Sequence, residues 1–220
     1  MAETRSFFLV PAGDNALIDQ ARASSADAVV LDLASANDEA RGRVGLALAA
    51  LKGAGKAVYV RLSPMSTDRT RDDLAAALGG GLDGIVYPNA QSARDIRQLD
   101  VLTRQQEMTK KVKPGLAVLI PEISSARGLL RAEEIVQAST RIRGLAIDGD
   151  GLDADLGVER TLDRRELEHA RRVIVVVCAA YGLISVDAAG ADAAYARSIG
   201  FKAKYALTPG QVDAIAQAYK

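Results

Sequence analysis

The sequence predicts a single-domain α/β protein, a (β/α)8 TIM barrel spanning residues 1–220. Short apolar runs alternate with longer amphipathic stretches along the whole chain, the signature of βαβ units that build a parallel sheet. The runs number eight, and 220 residues over eight units is about 27 per unit, which suits a closed barrel better than an open sheet.

The first predicted strand, residues 7–11, joins Phe7-Phe8-Leu9-Val10 to a closing Pro11. Strands over 28–33 and 57–61 follow, rich in β-branched residues, then 84–87, 116–121, 144–147, 183–186 and 203–207. Helices are predicted over 38–51, 126–138, 164–181 and 208–219, where apolar residues recur three or four apart. Asp163 and Thr208 are N-cap candidates, Pro209 suits a first helical position, and Gly182 and Gly200 follow helices as C-cap residues. The run Val173-Ile174-Val175-Val176-Val177-Cys178 is apolar on more than one helical face. It calls for cover from a neighbouring loop, such as residues 187–199, or from another subunit.

Composition narrows the partners. Lys+Arg and Asp+Glu are 28 each, so no global positive field collects nucleic acid or an anionic membrane. The single Cys178 excludes an internal disulfide framework and a cysteine-rich zinc site. With no apparent leader and no run near the roughly 18 apolar residues that spanning needs, a cytoplasmic protein is expected.

In such a barrel, function sits at the C-terminal ends of the strands. The tails there read Leu31-Asp32-Leu33-Ala34-Ser35, Val60-Arg61-Leu62-Ser63, Val86-Tyr87-Pro88-Asn89, Pro121-Glu122-Ile123-Ser124-Ser125-Ala126-Arg127-Gly128 and Ile147-Asp148-Gly149-Asp150-Gly151. With the opening Arg5-Ser6-Phe7-Phe8-Leu9-Val10-Pro11, the stretch Ala26-Asp27-Ala28-Val29-Val30-Leu31-Asp32-Leu33, the run Ala154-Asp155-Leu156-Gly157, and Lys204 ahead of Pro209 and Gln211, they resemble the HpcH/HpaI aldolase and citrate lyase β-subunit family. The likeness is to its citrate-lyase-β-like branch and covers nearly the whole chain. It implies a barrel, usually trimeric or hexameric, that cleaves or forms carbon–carbon bonds in carboxylated acyl-CoA thioesters with Mg²⁺.

The departures fall on the metal. Where the family has L-D-L-E-D the chain has Leu31-Asp32-Leu33-Ala34-Ser35, and the family's two ligand positions are Ser124 and Gly151 here. P-K-x-E has become Pro88-Asn89-Ala90-Gln91, and the histidine of H-P-S-Q is Thr208. Mg²⁺ wants hard oxygens in near-octahedral array. The nearest carboxylates that could replace the lost ones are Glu122, which shares a strand face with position 124 about 6.6 Å away, and Asp150. Glu122 has the alternative of pairing with a Lys or Arg on an adjacent strand.

By resemblance, Arg61 holds a substrate carboxylate, a task its planar guanidinium performs bidentately, with Asp32 as its catalytic companion. Pro88, Ser124 and Ser125 complete the expected substrate contacts. The bland alternative for Arg61 is a structural ion pair at the barrel mouth, with Asp32 as its partner. Lys204 could form a Schiff base, against an ion pair with a neighbouring strand's carboxylate. His169, the only histidine, falls mid-helix, and Gly79-Gly80-Gly81 lies before a strand rather than at a phosphate-binding helix start.

Two functions therefore stand. One is a citrate-lyase-β-like carbon–carbon lyase acting on a small carboxylated acyl-CoA or 2-oxo acid. The other is a catalytically degenerate barrel, its Mg site lost, that binds or assists. A homotrimer is expected by resemblance, and the family's C-terminal lid segment has no counterpart after the helix ending at Tyr219.

Overall fold

The computed structural model describes residues 4–79, 81–161, 164–190 and 193–220. Asp163, expected as an N-cap, and Gly80 of the glycine triplet lie outside these. In chain order the elements are β1 (Ser6–Pro11), α1 (Asn15–Ala23), β2 (Ala28–Asp32), α2 (Asp38–Gly53), β3 (Ala57–Arg61), α3 (Thr70–Ala77), β4 (Gly84–Tyr87), α4 (Ala93–Thr109) and β5 (Val118–Ile123). There follow α5 (Ala126–Leu130), α6 (Ala132–Val136), β6 (Gly144–Ile147), α7 (Gly149–Leu156), α8 (Glu168–Tyr181), β7 (Ile184–Asp187), α9 (Ala193–Ser198), β8 (Ala203–Ala206) and α10 (Pro209–Ala218). The strands are all parallel and close in sequence order, β8 pairing back onto β1 through Phe7↔Tyr205. This is the (β/α)8 TIM barrel the alternating pattern predicts.

Side-chain alternation sorts the strands into two layers. Phe7, Ala28, Val30, Val86, Ile120, Ala146, Val186, Ala203 and Tyr205 fill the inside of the barrel, and Phe8, Val29, Leu31, Val58, Ile85, Leu119 and Leu145 pack outward against the helices. Inside, the ring of Phe7 meets Tyr59 at 5.3 Å and Tyr205 at 6.2 Å, both edge to face. Gly84 makes room for this stack, since a Cβ there would lie 2.5 Å from the Tyr59 ring.

Thr208 caps α10 through its Oγ, Pro209 opens that helix, and Gly182 ends α8 in the left-handed region. The helix expected over 126–138 is two helices broken at Arg131, and α8 begins at Glu168 after a short 3-10 turn. Its apolar run is covered mostly from within. Ile174 and Cys178 are buried, Val175 and Val177 pack on the core with Val175 against the Gly200 turn, and Val176 is 66% exposed. One outward valine is a narrower face than the run suggests, and of the two expected covers the chain itself supplies most. No helix among the described residues is long and apolar enough to cross a membrane.

Candidate active site

The inward positions at the strand C-termini converge on one cavity of about 330 Å³, whose lining includes Leu9, Arg61, Glu122, Asp148, Ala189 and Tyr205. Alternation places them there. Asp32 follows inward Val30 on β2, Arg61 follows Tyr59 on β3, Glu122 follows Ile120 on β5, and Asp148 follows Ala146 of β6. Apolar residues fill the layers below, so the polar side chains form the top of a packed core.

Arg61 organises this layer. Its Nε donates to Glu122 Oε2 at 2.8 Å and its Nη2 lies 2.7 Å from the same oxygen, while Nη1 stands 3.4 Å from Asp32 Oδ2 and Nη2 3.6 Å from Asp148 Oδ2. The short contacts engage the Nε/Nη2 edge, and the Nη1/Nη2 end carries only the long ones. Asp32 is thus the lesser partner, and the main one lies two strands away. The barrel's stagger explains it: Arg61 is level with Val86, Val86 with Ile120, and Glu122 is one inward step above Ile120, within reach of a long side chain leaning up the mouth.

Burial lifts Glu122 above the ordinary carboxylate range, more than Arg61 draws it down, and Asp148 and Asp32 add to the rise. Tyr205 lies close enough to feel the charges of Glu122 and Arg61, and burial raises its hydroxyl well above the usual phenol value. That hydroxyl faces the Glu122 carboxylate, which adds to the rise, but makes no hydrogen bond of good geometry to any described residue. Sequence reasoning missed Tyr205 as a site residue; its signal was alternation from Ala203, which turns 205 inward and Lys204 outward.

The other expected residues are scattered. Ser124 donates to Asn89 Oδ1 at 3.1 Å, and Ser125 Oγ is committed to capping α5 by accepting from the Gly128 N–H. Pro88 is buried, and neither it nor Ser124 or Ser125 lines the mouth cavity. Asp150 sits at the rim with an exposed side chain paired to Arg160 at 3.0 Å and Arg164 at 3.3 Å, while Glu122 is buried on Arg61, so the two proposed metal ligands serve different arginines. Asp155 accepts from the Ala126 N–H at 2.8 Å and holds the start of α5. Lys204 is buried on the outer side of the sheet, 2.7 Å from Asp187 of the adjacent strand, which is the ion-pair alternative to a Schiff base. His169 is exposed on α8.

The residues present do not fit Mg²⁺. The two family ligand positions still face each other, but at contact: a Cβ on Gly151 would stand 2.7 Å from both Ser124 Cβ and Asp148 Oδ2, so the space for a ligand side chain and an ion is closed. Asp32, Glu122 and Asp148 are gathered on the Arg61 guanidinium, and no group of three or more His, Cys, Asp or Glu among the described residues is disposed to hold a metal. Hard-ion coordination needs carboxylates free to turn toward the ion.

Residues 5–209 match the HpcH/HpaI aldolase/citrate lyase family. The chain is 26% identical over 230 residues to citrate lyase subunit beta of Leuconostoc mesenteroides subsp. cremoris, covering 98% of this chain and 76% of that one. It is 28% identical over 238 residues to the L-malyl-CoA/beta-methylmalyl-CoA lyase of Cereibacter sphaeroides (strain ATCC 17025 / ATH 2.4.3), covering 92% and 74%. Among solved structures it superposes on the citrate lyase beta subunit from M. tuberculosis complexed with oxaloacetate and magnesium with a TM-score of 0.77, at 26% identity, covering 100% of this chain and 98% of that one. With the barrel, the ordered strand-end motifs and this chain-long match together, the protein belongs to the HpcH/HpaI aldolase/citrate lyase family.

Proposed function

We propose that this barrel receives a small carboxylated acyl-CoA or 2-oxo acid at its mouth and acts on it as a carbon–carbon lyase of the citrate-lyase-β type, with Arg61 gripping a substrate carboxylate. The observation that carries this is the placement of Arg61: a guanidinium at the end of β3, held at Nε and Nη2 by Glu122, while Nη1 has only a 3.4 Å contact with Asp32 and Nη2 stands 3.6 Å from Asp148. A ligand carboxylate can replace those loose contacts without disturbing the Glu122 pair. In the cleavage of a 3-hydroxyacyl thioester the hydroxyl proton passes to a base. The carbon–carbon bond breaks to leave a carbonyl on one fragment, and its electron pair forms the enolate of the other, which a proton then quenches. Glu122, lifted by burial, and Asp148 are the proton-accepting groups at the mouth.

The close packing of Gly151 on Ser124 favours a second reading, a barrel that binds its carboxylate without cleaving it. Formation of glyoxylate and acetyl-CoA from malyl-CoA tests the first, with Arg61→Lys expected to lower kcat/KM about 100-fold because the bidentate grip is lost. Calorimetric titration of oxaloacetate with and without Mg²⁺ tests the second: binding without turnover supports it. The reading includes the homotrimer implied by the family, and light scattering giving a mass near 23.2 kDa at micromolar concentration would contradict that part.

A further inference from the structure

Four buried side-chain oxygens have no hydrogen-bond partner among the described residues, on Asp153, Glu166, Tyr205 and Tyr219, and of these residues only Tyr205 lines the mouth cavity. The residue is 4% exposed, its ring is fixed edge to face on Phe7, and its hydroxyl stands by Glu122 and Arg61. A buried hydroxyl seldom goes unbonded in a folded protein, and one kept protonated by burial has a hydrogen to give. The Glu122 carboxylate beside it is already engaged by Arg61 and makes no well-formed hydrogen bond to it, so a ligand oxygen entering the cavity is the acceptor that can complete it.

We propose that Tyr205 is a specificity-determining residue of the mouth, its hydroxyl donating to the 2-oxo oxygen of a monocarboxylate whose carboxylate sits on the Nη1/Nη2 end of Arg61. The inference rests on the reading of Arg61 as a carboxylate anchor. A charge count selects the ligand class. One guanidinium already faces Asp32, Glu122 and Asp148, so a second ligand carboxylate would enter among like charges. A carbonyl oxygen carries no such penalty, and a neutral donor suits it. Tyr205 then holds the 2-oxo oxygen without a cation.

The test is calorimetric titration in EDTA of pyruvate and of propionate, which lacks the 2-oxo oxygen, against the wild-type protein, Tyr205→Phe and Arg61→Met. The expected result is that wild type prefers pyruvate by about tenfold, the worth of one such hydrogen bond, and that Tyr205→Phe binds both acids at the wild-type propionate level. Ligand-free Tyr205→Phe should melt no lower than wild type, because the hydroxyl has no well-formed hydrogen bond to lose. A preference for pyruvate retained in Tyr205→Phe overturns the proposal, as does a variant that melts several degrees lower or fails to fold, which would make the hydroxyl structural. A preference that appears only on adding Mg²⁺ overturns it too, since the cation would then hold the oxo oxygen. Failure of the anchor reading looks different: wild type binds neither acid, or Arg61→Met binds both as wild type does, and Tyr205 falls with it.

Discussion

Replacing Arg61 by methionine removes the one cation that three mouth carboxylates share. Glu122 is 2% exposed and takes a hydrogen bond and a second close ion contact from that guanidinium, so the variant buries a carboxylate facing Asp32 and Asp148 with nothing to neutralise it. Breaking a buried pair on one side costs about 3–5 kcal/mol. A Coulomb estimate at an effective dielectric of 20 and about 4 Å gives a similar figure, about 4 kcal/mol. For a chain of this length each kcal/mol moves Tm by about 2–4 °C, so the drop is about 6–20 °C where Glu122 is ionised.

The pH dependence follows from the direction of the shift. Glu122 is raised in the folded protein above the value of 4.5 it has when free. The native state therefore holds the proton more tightly, and this contribution is full below the unfolded pKa and lost as pH rises through the folded one. Without Arg61 the folded value climbs further, so the loss extends to higher pH and the gap between wild type and Arg61→Met widens from pH 5.5 to pH 8. Thermal melts followed by circular dichroism at both pH values, with Glu122→Gln and the double variant completing a cycle, measure it. The double variant should be less costly than Arg61→Met alone, because no unpaired Glu122 charge remains. A gap that is constant or larger at pH 5.5, or single losses that simply add, would refute this account of the mouth.

Asp187 bridges the buried Arg171 at 2.7 and 3.0 Å and the buried Lys204 at 2.7 Å, so Asp187→Asn removes the carboxylate charge that both cations share; a loss of about 3–5 kcal/mol in urea unfolding is expected, and one below about 1 kcal/mol would show that the pairs are dispensable. Returning the family's ligands by Ser124→Glu with Gly151→Asp should not create a Mg²⁺ site, since position 151 lies against the Ser124 side chain and the Asp148 carboxylate; the variant should melt lower than wild type and give no binding heat, and a saturable Mg²⁺ isotherm would disprove the steric argument.

The strands were legible because alternation and β-branched runs are local signals: β3, β4 and β6 fall on the expected residues. β5 is displaced two residues, expected over 116–121 and found at Val118–Ile123, because Pro121 looks like a terminator. The fold accommodates it where pairing is irregular. Between Leu119↔Ile142 and Glu122↔Ala146, three steps on β5 match four on the other chain segment, so an extra residue lies opposite Pro121. The break at Arg131 was invisible because helical periodicity does not register a one-residue interruption. Partner choice at the site was harder still. The Arg61 to Glu122 contact spans 61 positions in sequence and two strands of stagger, and Asp32 is the neighbour that simple register supplies.

The same stagger explains why a chain with Ser124 and Gly151 where the resemblance implies metal ligands still has an organised mouth. A carboxylate at 124 would stand at the top of β5, whereas Glu122 sits one inward step deeper, about 6.6 Å down the strand. Charge moved to that depth meets less water, so its attraction for a cation is stronger, and the cation in reach is the guanidinium of Arg61. Held by Glu122 along its Nε/Nη2 edge, Arg61 lines the cavity with Tyr205 beside it. A pocket for an oxygen-rich anion can thus form without the magnesium that accompanies oxaloacetate in the M. tuberculosis relative. What it gives up is charge, because one guanidinium among three carboxylates stabilises a developing enolate less than a divalent ion does. Binding should therefore be conserved further than rate, and carboxylate affinity is the property by which this barrel is best judged.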